Sequence, residues 1–88
     1  MPRKELTIKN RLGLHARAAA QFVQTANQFQ SEITVAKDGD TVNGKSIMGI
    51  LMLAAPKGSL VVVNAEGQDA AEALQALEKL IDGRFGED

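Results

Sequence analysis

The sequence predicts an α+β fold in which a four-stranded antiparallel sheet carries three helices on one face. Stretches of alternating apolar and polar residues are interleaved with stretches of helical spacing, in the order β-α-β-β-α-β-α. The dipeptide Asp38-Gly39 separates the second and third strands, and it is a signal for a tight antiparallel hairpin. With 88 residues, the chain has the length of a single domain, residues 1–88.

The strands are predicted from alternation and from β-branched residues. In the first strand Leu6 and Ile8 share a face, and in the second strand Ile33 and Val35 do the same. The last strand is rich in valine, which favours a central position in the sheet. The four predicted strands are Glu5–Lys9, Glu32–Lys37, Asp40–Val42 and Leu60–Ala65.

The helices are predicted from apolar residues at helical spacing. The first begins at Ala16 and runs for about three turns. A compact apolar run, Ile47–Leu53, predicts a short second helix with Ser46 as its N-cap. The third helix carries an apolar stripe from Ala70 to Ile81. Its predicted ends are a capping box of Asp69 and Glu72, and a terminating glycine at Gly83.

The composition excludes several classes of function. Ten basic and eleven acidic residues leave a net charge of −1, whereas duplex-binding proteins usually have a basic excess. The chain has no cysteine and one histidine, so we expect no metal site and no cofactor. The apolar stretches are far shorter than the ~20 residues that cross a bilayer, and the first residues lack the apolar core of a signal peptide. We therefore expect a cytoplasmic protein without membrane insertion.

One short motif suggests a nucleotide-binding loop, but its context argues against that function. Residues Gly39–Ser46 fit the P-loop pattern G-x-x-x-x-G-K-[ST]. A P-loop follows a buried parallel strand and precedes a long helix, whereas Gly39 belongs to a predicted hairpin and the next helix is short. We interpret the match as accidental.

The candidate catalytic residue is His15, immediately before the first helix. A lone histidine in a loop is often an ordinary surface residue. Here, however, the unpaired amides of the first helical turn and the helix dipole form an anion site beside the ring. Arg17 adds a cation, and Gly13 lets the loop bend close to the ring. With no obvious acidic partner, a neutral and nucleophilic His15 fits covalent carriage of a phosphoryl group better than acid–base catalysis.

The stretch Gly13-Leu14-His15-Ala16-Arg17 resembles the active-site signature of HPr, the phosphocarrier of the phosphoenolpyruvate-dependent phosphotransferase system. The stretch Lys45-Ser46-Ile47-Met48-Gly49 is similar to the second HPr signature, at the family's spacing. The resemblance covers the whole chain. It implies an open-faced β-sandwich and phosphorylation of His15 by Enzyme I at Nδ1, with transfer to Enzyme IIA domains. It also implies a carrier without free-standing enzyme activity, and we expect a monomer.

The chain departs from the family motif at Ala18, where a proline usually follows the arginine. Proline would fix φ in the first helical turn, but alanine is itself a good helix former. The helix should therefore still begin here. The change leaves open the transfer rate and the branch of the system that is served.

The second signature indicates a docking surface and a regulatory position. Ile50 and Leu53 share the face of the second helix that should enter the core. Three other side chains of this helix, with two alanines of the first helix, form the predicted partner surface: Ile47, Met48, Leu51, Ala16 and Ala20. Ser46 adjoins it, and the resemblance implies that some relatives are phosphorylated at this serine by a dedicated HPr serine kinase/phosphorylase. The sequence leaves open whether this chain is modified in the same way.

Two other classes of function are alternatives to the phosphocarrier. One is an HPr-like regulator of a nitrogen-related or incomplete phosphotransferase system, which acts mainly by protein binding. The other is an RNA-binding α+β module, which usually places stacking aromatics on its strands. The chain has only three aromatic residues, and Phe22 lies on the first predicted helix. RNA binding is therefore the weaker alternative.

Overall fold

The computed structural model describes residues 2–87, so Met1 and Asp88, the ends of the predicted domain, lie outside it. The four strands are β1 (Arg3–Thr7), β2 (Glu32–Lys37), β3 (Asp40–Asn43) and β4 (Leu60–Glu66). The three α-helices are α1 (Ala16–Ala26), α2 (Ile47–Leu53) and α3 (Ala70–Asp82), and a 3₁₀ turn, Arg84–Gly86, follows α3. The predicted order of elements is confirmed.

The strands form one antiparallel sheet in the order β1-β4-β2-β3. The valine-rich β4 is central, as its composition predicts, and pairs with β1 and β2. The β2–β3 hairpin turns through Asp38 and Gly39, whose φ angles are 52° and 88°. Because this turn needs left-handed backbone at two positions, the Asp-Gly pair suits it.

The core lies between one face of the sheet and the three helices. Alternate strand residues are buried on this face, and the stripes of α1 and α3 cover them. Phe22 of α1 and Leu77 of α3 are at most 1% exposed, and each contributes about 1.5–3 kcal/mol by burial. The opposite face keeps exposed residues such as Glu5 and Glu32. This is the open-faced β-sandwich that the resemblance implies.

The predicted boundaries of β1 were wrong by two residues, since the strand ends at Thr7. The backbone pairing nevertheless continues past its end: Ile8 N–H donates to the Ser59 carbonyl at 2.9 Å, and Gly58 N–H donates to the Ile8 carbonyl at 2.8 Å. The alternation of Leu6 and Ile8, both buried, follows this longer extended segment.

The predicted capping box of α3 does not form. Asp69 is the N-cap but makes no side-chain bond to its own helix. Its carboxylate instead accepts hydrogen bonds from the amides of Gln30 and Ser31, each at 2.9 Å, and from the Ser31 hydroxyl at 2.5 Å. The loop between α1 and β2 lies against the start of α3. Its amides therefore bind the Asp69 carboxylate, which in a capping box would accept a hydrogen bond from the first turn of α3.

The end of α3 also differs from the expected glycine terminus. Gly83 caps the helix but keeps φ at −81°, so it does not adopt the left-handed conformation. The chain turns over the next two residues, Arg84 and Phe85, which have φ angles of 58° and 55°. Phe85 is 3% exposed and packs into the core. Burial of this ring directs the following residues back over the domain.

Candidate functional site

The structure places His15 at the N-cap of α1, as predicted. Its backbone is extended (φ −75°, ψ 178°), and its carbonyl accepts the first helical hydrogen bond from Ala19 N–H at 2.8 Å. The His15 side chain makes no cap bond, so it does not use the amides of the first turn. These amides and the helix dipole favour an anion beside the ring.

Gly13 is required by the path of the loop before His15. Its φ is +69°, and a Cβ at this position would lie 2.5 Å from the Ala55 carbonyl oxygen and 2.8 Å from Pro56 Cα. The next amide, Leu14 N–H, donates to the same Ala55 carbonyl at 2.9 Å. The loop is thereby fixed against the segment that follows α2. Between them lies an open cleft of about 230 Å³, lined by Leu12, Leu14, His15, Ala54, Ala55 and Pro56.

The expectation that His15 has no acidic partner was wrong. The carboxylate of Glu87 faces the imidazole, with Oε1 2.9 Å and Oε2 3.0 Å from Nε2. The two residues are 72 positions apart, and the turn after α3 brings them together. Because the side chains of His15 and Glu87 are only 28% and 23% exposed, this contact is partly screened from water.

Glu87 is held by a second polar residue, Asn10, which was not predicted from the sequence. The buried side chain of Asn10 donates from Nδ2 to Glu87 Oε1 at 2.8 Å and to the Gly13 carbonyl at 2.7 Å. The Asn10 bond, followed by the His15 bond, lowers the pKa of Glu87 below its ordinary value. Arg17, exposed in the first turn of α1, adds to this lowering of the Glu87 pKa through its positive charge. The loop, α1 and the segment after α3 therefore form one charged cluster around the ring.

The predicted N-cap of α2 is confirmed. The Ser46 Oγ accepts a hydrogen bond from Gly49 N–H at 3.1 Å, and Ile50 N–H donates to the Ser46 carbonyl at 3.0 Å. Ile50 and Leu53 are buried, as their spacing predicts. The helix is therefore fixed by its cap at one end and by the core along one face.

The other side of α2 exposes apolar side chains. Ile47 is 44% and Met48 68% exposed, but the predicted Leu51 is half-buried and packs against the core. Met52, which was not predicted, is 76% exposed. It lies four residues after Met48, so helical spacing would have found it. We call Ile47, Met48 and Met52 the α2 patch.

The α2 patch and His15 belong to neighbouring parts of the surface. Helices α1 and α2 pack against each other, and Ala54, which ends α2, lines the same cleft as His15. Ala16 is exposed and Ala20 is half-buried on α1. Leu12, 61% exposed in the loop before His15, adds an apolar side chain that was not predicted.

The P-loop pattern does not form a phosphate-binding loop. Gly39 lies in the β2–β3 turn, β3 occupies the residues after it, and Gly44 N–H donates to the Ile33 carbonyl at 2.7 Å. Within residues 2–87 no group of His, Cys, Asp and Glu could hold a metal ion. None of the helices in this range is long and apolar enough to cross a membrane.

The model of the family described as "PTS HPr component phosphorylation site" matches residues 2–83. The chain belongs to the HPr family. It is 54% identical to the phosphocarrier protein HPr of Neisseria meningitidis over 87 residues, covering 99% of this chain and 98% of that protein. HPr is a phosphocarrier of the bacterial phosphotransferase system, so this is a phosphocarrier family.

Other members of the HPr family share the fold and the length. The crystal structure of HPr from Thermoanaerobacter tengcongensis superposes with a TM-score of 0.97 at 52% identity, covering 100% of this chain and 99% of that one. A dimer of HPr from the same organism has also been crystallised. The HPr-like protein Crh of Halalkalibacterium halodurans is 49% identical over 82 residues, which is 93% of this chain and 98% of that protein.

Proposed function

We propose that residues 1–88 act as one phosphocarrier domain, which accepts a phosphoryl group from Enzyme I on His15 Nδ1 and passes it to Enzyme IIA domains. The observation that carries this proposal is the position of His15. It is the one histidine of the chain, it is partly exposed at the N-cap of α1, and its side chain leaves the first-turn amides free. An attached phosphoryl group would meet these amides and the helix dipole.

Arg17 is the second residue that we assign to the transfer. It lies in the first turn of α1, two residues after His15, and is exposed. A guanidinium in this position can hold phosphoryl oxygens as they pass between two proteins. The chain itself needs no enclosed substrate pocket, because each partner brings its own half of the site. We therefore infer a carrier rather than an enzyme.

The α2 patch is the proposed docking surface for both partners, together with Ala16, Ala20 and the partly covered Leu51. Its side chains are apolar, exposed and adjacent to the cleft beside His15. Exposed apolar patches of this kind mark protein interaction sites, and flexible methionines adapt to more than one partner. The same surface must be free for Enzyme I and Enzyme IIA in turn, so we infer a carrier that acts as a monomer in the cytoplasm.

Ser46 is the proposed regulatory position, with an HPr serine kinase/phosphorylase as the enzyme that would modify it. Its hydroxyl caps α2 immediately before Ile47 and Met48. A phosphate here would add nearly two negative charges at the edge of the docking surface. We infer that such a charge inhibits docking and leaves the fold intact, because a helix N-terminus accommodates an anion.

The alternative is a regulator that binds its partners without carrying phosphoryl flux, as a member of a nitrogen-related or incomplete phosphotransferase system. Its docking surface would be the same α2 patch, so partner binding does not separate the two functions. Turnover does. The chain is incubated with Enzyme I, labelled phosphoenolpyruvate and an Enzyme IIA domain, and the label is followed over time. A carrier passes label through itself to Enzyme IIA, whereas a regulator leaves Enzyme IIA unlabelled.

A further inference from the structure

We propose that Glu87 is a positioning residue for phosphoryl transfer at His15, and that Asn10 holds it in place. The inference rests on the proposed function, because it assigns the residues that prepare the same imidazole for reaction. Glu87 lies outside both sequence signatures and outside the residues matched by the family model. Its role follows from the geometry of the segment after α3.

The contact with Glu87 determines which ring nitrogen can react. Both carboxylate oxygens lie within 3.0 Å of Nε2, and a carboxylate can only accept a hydrogen bond. The lowered pKa of Glu87 supports an ionised carboxylate. Nε2 of a neutral ring must therefore carry the proton, and the lone pair is left on Nδ1. In the described residues both ring hydrogen bonds are at Nε2, so Nδ1 faces no competing donor.

Asn10 explains why Glu87 stays in this position. Asn10 is fully buried, and its Nδ2 bridges Glu87 Oε1 and the Gly13 carbonyl. Its own Oδ1 has no hydrogen-bond partner in the described structure. An unsatisfied buried oxygen is a cost that folded proteins rarely retain without a reason. We infer that this cost is retained because the Asn10 Nδ2 group joins the loop before His15 to the Glu87 carboxylate.

The carboxylate also stabilises the charge that develops during transfer. The Nδ1 lone pair forms a bond to phosphorus, while the bond from phosphorus to its donor breaks and that electron pair leaves with the donor. Nε2 keeps its proton, so the phosphorylated ring becomes cationic. A carboxylate on Nε2–H stabilises such an imidazolium and keeps the ring oriented, as in other carboxylate–histidine pairs.

The test compares Glu87→Ala and Glu87→Gln with the wild type, using two phosphoryl donors. Phosphorylated Enzyme I requires docking, whereas phosphoramidate, which loses ammonia as Nδ1 gains the phosphoryl group, does not. Glu72→Gln, which removes an exposed carboxylate from the first turn of α3, is the matched control. We expect Glu87→Ala to be phosphorylated about tenfold more slowly by both donors. Glu87→Gln should be intermediate, and Glu72→Gln should match the wild type.

A spectroscopic measurement separates positioning from general stability. In the wild type the Nε2 proton of His15 should give a resolved NMR signal, because its bond to Glu87 slows exchange with water. That signal should be lost in Glu87→Ala, although circular dichroism shows a folded protein. Equal or faster phosphorylation of folded Glu87 variants would overturn this inference and leave the proposed function standing. A wild type that accepts nothing from Enzyme I would overturn the proposed function, and this inference with it.

Discussion

At the scale of single residues, the His15 site contains two opposite charges, those of Glu87 and Arg17. Glu87 contacts Nε2, and Arg17 is close enough to lower the Glu87 pKa by its charge. A phosphoryl group on Nδ1 would be repelled by the carboxylate and attracted by the guanidinium and the first-turn amides. We therefore expect Arg17 to matter most when the phosphoryl group is between two proteins.

Replacing Arg17 should slow transfer without unfolding the domain. Arg17→Ala removes one exposed cation, and a charge-assisted hydrogen bond to a phosphoryl oxygen is worth about 1.5–3 kcal/mol. The rate of His15 phosphorylation by limiting Enzyme I should fall roughly 10–100-fold. Arg3→Ala, which removes an exposed cation from β1, is the control. An unchanged rate for Arg17→Ala would mean that Arg17 is an ordinary surface residue.

At the scale of elements, α2 combines a structural and an exposed side in only seven residues. Ile50 and Leu53 anchor it in the core, and Ser46 caps its first turn. This division leaves Met48 68% exposed without cost to the core. The helix can therefore change its surface charge while it keeps its fold.

A negative charge on this element should block docking selectively. Ser46→Asp keeps a side chain that is a good N-cap, and Met48→Asp alters an exposed position, so both variants should remain folded. Each new carboxylate must be desolvated against a partner, so phosphorylation of His15 by Enzyme I should slow by about tenfold or more. Added salt should partly restore the rate for Ser46→Asp, since the charge there lies beside the contact.

Phosphoramidate, as the small phosphoryl donor, again provides the control for Ser46→Asp and Met48→Asp. Phosphoramidate does not dock on α2, so it should phosphorylate both variants at the wild-type rate. Slowing with both donors, or a large loss of melting temperature, would show that these side chains support the fold rather than the encounter with Enzyme I.

At the scale of the whole molecule, Asp69 joins two distant parts of the chain. Its carboxylate accepts three hydrogen bonds from Gln30 and Ser31, which lie 39 and 38 residues before it, and so fixes the α1–β2 loop to the start of α3. The Ser31 hydroxyl, followed by the Gln30 amide, lowers the Asp69 pKa from its usual 3.8. A carboxyl whose pKa is lowered on folding stabilises the fold above its unfolded pKa.

Asp69→Asn should therefore destabilise the protein in a pH-dependent way. The stabilising effect of Asp69 is present at neutral pH and is lost as the pH falls below 3.8 through the lowered pKa. The midpoint of urea unfolding should be lower for Asp69→Asn than for the wild type at neutral pH, and the two should converge in acid. Asp40→Asn, at an exposed position of β3, should match the wild type throughout. A deficit that is equal at all pH values would contradict the proposed ionisation.

Local patterns were sufficient to predict most of the fold. Helix α2 and the caps His15 and Ser46 follow from side chains a few residues apart, and the structure has them where the sequence predicts them. Glu87 and Asn10 could not be predicted in this way. Their meeting depends on the turn at Arg84 and Phe85, whose left-handed backbone has no glycine to signal it. Tertiary packing of the Phe85 ring decides where that segment goes.

The same difference between local patterns and long-range contacts explains why the capping box predicted at Asp69 was wrong. Its spacing to Glu72 is that of a capping box, and no local feature distinguishes the two possible acceptor roles. The choice depends on a loop that approaches from 38 residues away. Contacts between residues so far apart in sequence produce no periodic pattern from which they could be predicted.

Mapping of the phosphoryl label shows whether His15 is the residue that carries the group. The chain is incubated with Enzyme I and labelled phosphoenolpyruvate, digested, and the labelled residue is identified. We predict one acid-labile, alkali-stable label on His15, and no label on His15→Ala, which should keep its fold because the side chain is partly exposed. Label on a serine such as Ser46, or label that persists in His15→Ala, would contradict the assignment.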